Sequence, residues 1–167
     1  MTADPTRAFV RHTVATLAYR GRKILAGAPA GFGDCRAAEA ATKTRSAVEI
    51  LAHIGDLLDW TARLVAGAMD WRAAWRASAP GTWEHEVGRF YAGLQKVDTA
   101  LASDATPFLS LEKIFQGPIA DALTHLGQLA LLRRLAGAPV RGEVMVLSEV
   151  VVGRVGPEQA PPLREFD

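Results

Sequence analysis

The stretch QGPIADALTHLGQLALLRRLAG, residues 116–137, opens on a Gly-Pro pair and closes on a glycine. Proline suits the first turn of a helix, and glycine suits the position just past the last turn. A helix from Pro118 to the residue before Gly137 is therefore expected. Its polar residues carry the information. Asp121, Thr124, His125 and Gln128 fall on one stripe, and none is the Lys, Arg or Glu of an ordinary solvated face. Along the same line the polar run gives way to Leu132 and Leu135, where a surface stripe would more often stay polar. Asp121 and His125 stand one turn apart, so both can reach a single point from one backbone. Metalloenzyme helices place paired ligands at this i, i+4 spacing. Two readings stay open here, the solvent face of an amphipathic helix and a pair of ligands.

Working outward, Phe9, Val10, Leu17, Ile24 and Leu25 recur at helical spacing and predict a first helix over Thr6–Leu25. The stretch AGAPAGFGDCRA breaks it. A second helix is expected over Ser46–Ala66, where Ser46 and Glu49 form the S-x-x-E capping box. Residues 67–81, GAMDWRAAWRASAPG, read as a connection with one helical turn, carrying Trp71 and Trp75. A third helix is expected over Trp83–Leu101, with Thr82 as its cap and Glu84 and Glu86 in the favourable first turn. LSLEKIF, just before the opening stretch, has no clear type. The last thirty residues mix β-branched residues without clean alternation and a proline-rich end, and read as an extended tail packed over the helices. Four long amphipathic helices and no convincing sheet predict an all-α protein, a four-helix bundle. One domain, residues 1–167, is expected, with its core at about 6–137 and its tail at 138–167.

The second helix supplies a third chemical residue. Ser46, Ile50, His53, Leu57, Trp60 and Leu64 share one face at about 100° per residue. A histidine within that apolar stripe is either buried in the core with one partner or lines a cavity. Bundles build metal and ligand sites from side chains on facing helices. His53 can therefore face Asp121 and His125 in an apolar shell. Two imidazoles and one carboxylate suit zinc or another first-row divalent ion, and three protein ligands leave positions open. The competing arrangement is a buried Asp121–His125 ion pair without metal. Trp60, two turns beyond His53, is a candidate pocket wall. Gln128 is a second pocket-lining candidate, there to hold a water or orient a ligand. Asp56 and Asp59 can accept an imidazole N–H or stand in solvent. His12 and His85 have no partner pattern, and Cys35 has no neighbour that would mark a nucleophile.

Composition narrows the function. Nineteen basic and eighteen acidic residues leave a net charge of +1, without the basic footprint of a nucleic-acid binder. A single cysteine excludes an intrachain disulfide. MTADPTRAF lacks the signal-peptide pattern, and no apolar run approaches the length that spans a bilayer. A soluble cytoplasmic protein acting on small molecules is expected. There is no G-x-S-x-G elbow, P-loop or dinucleotide fingerprint, and GAPAGFG follows a helix rather than a strand.

The order of motifs, a histidine in SAVEILAHIGDLLDW and then DALTHLGQLALLRRLAG, resembles the DinB-like family of metal-dependent helical-bundle proteins over residues 6–140. The resemblance implies an up-down-down-up bundle. It implies one histidine ligand from the second helix and an H-x-x-x-H pair from a later one, which often runs into a Gly-Gln pair like Gly127-Gln128. His53 matches the first ligand and His125 the last. Asp121 stands where the family more often has histidine, so the metal, zinc, nickel or iron, stays open. Related members resemble S-transferases and isomerases that use low-molecular-weight thiols. The resemblance therefore implies a small-molecule substrate, a thiol partner and a homodimer. Hydrolysis is a second reaction class. The competing function is a non-enzymatic bundle that binds a small ligand or dimerises through a metal-free Asp–His network.

Overall fold

The computed structural model describes residues 4–37, 44–70 and 78–166. Trp71 and Trp75, with the helical turn expected there, lie outside the described residues. Three of the long helices form where their local signals put them. Helix α1 is Pro5–Leu25, and the Asp4 carboxylate accepts from the Thr6 and Arg7 amides. Helix α2 is Ala47–Val65, and both bonds of the Ser46–Glu49 capping box are made. Helix α3 is Trp83–Ala102, and the Thr82 hydroxyl accepts from the His85 amide. Each cap satisfies amides that the helix start leaves without partners, an effect of about 1 kcal/mol.

The fourth helix starts differently. A one-turn helix α4, Leu111–Ile114, is capped by Ser110 and runs into a wide π-type turn, Phe115–Ile119. Regular helix α5, Ala120–Leu135, follows without a side-chain cap. Pro118 is thus inside the turn and is not the first residue of a new helix. It cannot donate a backbone hydrogen bond, and Gly117 takes φ −88°, ψ −106°, outside the helical region. Together they kink one continuous path rather than start it. LSLEKIF is the head of that path. The far end stops as expected, with Gly137 at φ 72°.

Helices α1 and α2 each lie against both α3 and α5. Leu17 of α1, Leu51 and Leu58 of α2, Phe90 and Leu94 of α3, and Leu129 of α5 are buried in one core. Two glycines let the backbones approach. A Cβ on Gly21 would sit 2.5 Å from the Phe90 ring, and one on Gly93 would sit 2.9 Å from the Leu58 Cβ. Among the described residues, no helix is long and apolar enough to cross a membrane.

The tail is mostly irregular, as expected, and it carries one feature the sequence does not announce. Gly142–Glu143 (β1) pairs antiparallel with Glu165–Phe166 (β2), Gly142 opposite Phe166 and Glu143 opposite Glu165. The ladder is too short to form a layer. The polar anchor is Glu143, whose side chain is 2% exposed. Tyr19 and Ser148 hydroxyls donate to its Oε1, each at 2.6 Å, and Lys23 donates to Oε2 at 2.8 Å. Lys23 also reaches Glu165 at 2.9 Å. Burial by itself would raise the Glu143 carboxyl, but Lys23, Ser148 and Tyr19 outweigh it and hold the group below its ordinary range. A carboxyl lowered in the folded state stabilises fully above its unfolded value of about 4.3, and that contribution is lost as pH falls through the folded value. Glu143→Gln should therefore cost about 1.5–3 kcal/mol, the range for hydrogen bonds to a charged group. Limited proteolysis should then cut the tail before the helices. Tail resistance equal to wild type would mean that its other contacts, buried Val155 and the Lys23–Glu165 pair among them, hold it without the Glu143 charge.

Candidate metal centre

The apolar face of α2 is as read. Ser46, Ile50, Leu57 and Leu64 are buried, while His53 and Trp60 on the same stripe are half-buried. His53 meets α5 just past the kink. Its Nε2 lies 3.6 Å from Asp121 Oδ2, and His125 Nε2 lies 3.4 Å from Asp121 Oδ1. Each carboxylate oxygen thus faces one imidazole. The two rings meet edge to face, with centroids 4.8 Å apart and planes at 83°. One donor atom from each residue falls within 4.8 Å of the others. Ligands of a tetrahedral ion with bonds of about 2.0–2.1 Å stand about 3.3–3.4 Å apart, and the two carboxylate–imidazole separations, to different oxygens of Asp121, lie near that spacing.

The protonation states also fit ligands. His125 Nδ1 lies 3.0 Å from Gln128 Oε1, and the tautomer protonated at Nδ1 donates to that oxygen. That tautomer leaves the Nε2 lone pair facing Asp121. Such outer hydrogen bonds fix the orientation of ligating histidines. Gln128 is thus placed where it would orient His125. Burial pushes the His53 imidazole below its ordinary value, helped by Arg45 and His125 and opposed by Asp121 and Asp56. That shift favours the neutral imidazole, which keeps a lone pair to offer.

The depth of the site differs from expectation. Rather than converging inside an apolar core, the group sits at the rim. The side chain of Asp121 is 47% exposed, His53 26% and His125 13%. Thr124 and Gln128 are exposed beside it. A buried Asp121–His125 ion pair would have to offset a desolvated carboxylate, and Asp121 is not desolvated. The exposed flank of Asp121 opens into a cavity of about 470 Å³. Leu57 and Trp60 form one side of it, and Gln116, Gly117 and Pro118 of the kink form another. Trp60 lines this cavity, and its indole N–H is buried without an acceptor among the described residues. The kink wall is what residue-by-residue reading missed. Its one signal is the Gly-Pro pair, and π-type turns within helices recur at functional sites.

Asp56 and Asp59 do not serve His53. The Arg89 guanidinium holds Asp56, reaches Asp59 at 3.4 Å and Glu86 at 3.3 Å, and donates to the Ala52 carbonyl at 3.2 Å. Lys96 takes the other Asp59 oxygen at 2.8 Å. These charges join α2 to α3. His12 and His85 are exposed, and His85 rests against Glu86 at 3.1 Å. Cys35 is a free, half-buried cysteine with its sulfur 3.9 Å from the Gly31 carbonyl. Neither a family model, nor a curated protein, nor a solved structure matches the chain.

Proposed function

We propose that this protein is a four-helix bundle of the DinB-like kind, up-down-down-up, and holds a divalent ion on His53, Asp121 and His125. The observation that carries the reading is the pair of short approaches at Asp121, 3.4 and 3.6 Å, from the Nε2 atoms of two histidines on two helices. The four-way packing of α1 and α2 against α3 and α5 supports the bundle. Two imidazoles and a carboxylate suit zinc, nickel or iron. When bound, such an ion supplies Lewis-acid polarisation and lowers the pKa of a water or thiol placed on it.

The chain's own residues set what can approach. Among the described residues, Asp121 is the one charged group on the cleft wall. Leu57, Trp60 and Pro118 offer an apolar surface, and Gln116 and Thr124 offer neutral hydrogen-bonding groups. A small substrate with an apolar body and an uncharged polar group is held there beside Asp121. Thiol-dependent transfer or isomerisation is the reaction class that the family resemblance favours. Metal analysis tests the reading on tag-free protein prepared without a nickel column. After incubation with Zn²⁺, Ni²⁺ or Fe²⁺ and desalting, about one ion per chain is expected, as for a three-ligand site. Failure to retain any of the three would overturn it and leave a metal-free ligand-binding bundle.

A further inference from the structure

A second cavity, of about 660 Å³, lies where α1, α5 and the tail meet. That volume is within the range of small-molecule sites. It is separate from the metal cleft. Leu123, Leu126, Gly127 and Ala130 of α5 line this cavity, whereas Asp121 and Thr124 line the other. Val140 and Met145 of the tail add to the apolar surface.

Two observations say what the space is for. Gly127 sits inside α5, where glycine destabilises a helix relative to alanine. A Cβ there would meet nothing within 4 Å, so packing within the chain does not demand a glycine. Its bare backbone instead keeps the cavity floor open. The second observation is charge. Lys23 on the wall is held by Glu143 and Glu165 at 2.8 and 2.9 Å, and Arg141 faces Glu165 at 3.7 Å. Arg20, on the same wall and exposed, has no ion-pair partner among the described residues. The cavity thus combines an apolar floor with one uncompensated guanidinium, the residue best shaped to take a carboxylate in two parallel hydrogen bonds.

We propose that this cavity binds a small amphipathic monoanion, its apolar body on the α5 floor over Gly127 and its carboxylate on Arg20. The test titrates full-length protein with decanoate, decanol and decylamine by calorimetry, in wild type, Arg20→Gln, Gly127→Leu and His125→Ala. Decanoate should bind saturably, one molecule per chain, and decylamine should not. Arg20→Gln should weaken decanoate about ten-fold or more, the scale of a lost charge-assisted pair, and leave decanol unchanged. Gly127→Leu should abolish decanoate binding while melting at or above the wild-type temperature. His125→Ala should bind as wild type does. Equal binding of all three ligands, or none of any, overturns the proposal. So does decanoate binding that survives Gly127→Leu but is lost in His125→Ala, which would put the carboxylate at the metal centre. A dimer that Gly127→Leu dissociates, with no decanoate bound, would assign the cavity to a second copy and equally overturn it.

Discussion

Zinc retained at about one ion per chain is expected to fall below about a tenth of that in His53→Ala and in His125→Ala, because each removes one of the three proposed ligands. Gln128→Leu should behave differently. It leaves all three donors in place and removes only the acceptor at 3.0 Å that fixes the His125 tautomer. Losing an outer partner of that kind costs about 10–100-fold in affinity, so the variant should still load at high zinc. Competition with a chromogenic chelator reads this gradient. Both histidines are half-buried rather than core residues, so circular dichroism should find the variants folded. The pH dependence has a definite sign. Ligating imidazoles must be unprotonated, and burial holds His53 below its ordinary value of about 6.5. Affinity should therefore be nearly flat above neutrality and fall as pH drops through the histidine range, with proton uptake at the site. A Gln128→Leu loss as deep as that in His53→Ala, or full zinc in all three variants, would remove the site as drawn.

Some of this fold is legible because the determining contacts are local. The Ser46–Glu49 box, the Thr82 cap and the Gly137 stop each involve a side chain or φ angle acting within four residues, so their spacing announces them. Pro118 is ambiguous for the same reason. Proline suits a first helical turn and also a kink, and nothing local separates the two. Burial of Leu111 and Ile114 decides it, by pinning the preceding turn to the core so that the chain bends at Gly117 instead of starting there. Gly21 and Gly93 are invisible in sequence because their purpose is a Phe90 ring and a Leu58 side chain on another helix.

The site divides along the same line. Asp121 and His125 are one turn apart, and His53 interrupts an apolar stripe, so periodicity finds all three. Periodicity does not give depth. Depth follows from where the kinked path departs from α2, and that leaves Asp121 at a rim with a cleft beside it. The exposure of Asp121 bears on how the group stands without an ion. A carboxylate at a wet rim costs little when no ion is bound, whereas the same group in an apolar core would demand a partner. Asp56 and Asp59 show the opposite failure. They follow His53 closely in sequence, yet Arg89 on another helix claims both.

Arg133→Ala is expected to be the most destabilising single substitution outside the apolar core. Its neighbour Arg134 looks equivalent in sequence, two cations in the last turn of α5 where the helix dipole favours them. The surroundings of the two differ. Arg134 is exposed, while Arg133 is 6% exposed and lies 5.9 Å over the Phe32 ring. Its Nη1 donates to the Ile24 carbonyl at 2.7 Å and the Ala26 carbonyl at 3.1 Å, and its Nε donates to the Ala138 carbonyl at 2.9 Å. Burial lowers its pKa, and no carboxylate pairs with it among the described residues. What offsets the charge is the C-terminal end of α1, whose last carbonyls have no helical donors and carry partial negative charge. One guanidinium thus closes the end of α1 and ties down the first turn of the tail. Truncation strands these carbonyls and empties the space beside Phe32, a loss of about 3–5 kcal/mol. At about 2–4 °C per kcal/mol for a chain of this size, the melting temperature should fall by about 6–20 °C. Arg133→Lys should recover less than half, because a compact ammonium cannot spread to three carbonyls as a planar fork does. Arg134→Ala should stay within about 0.5 kcal/mol of wild type, as surface substitutions do. Equal melting of Arg133→Ala and Arg134→Ala would show that the end of α1 is held by packing alone.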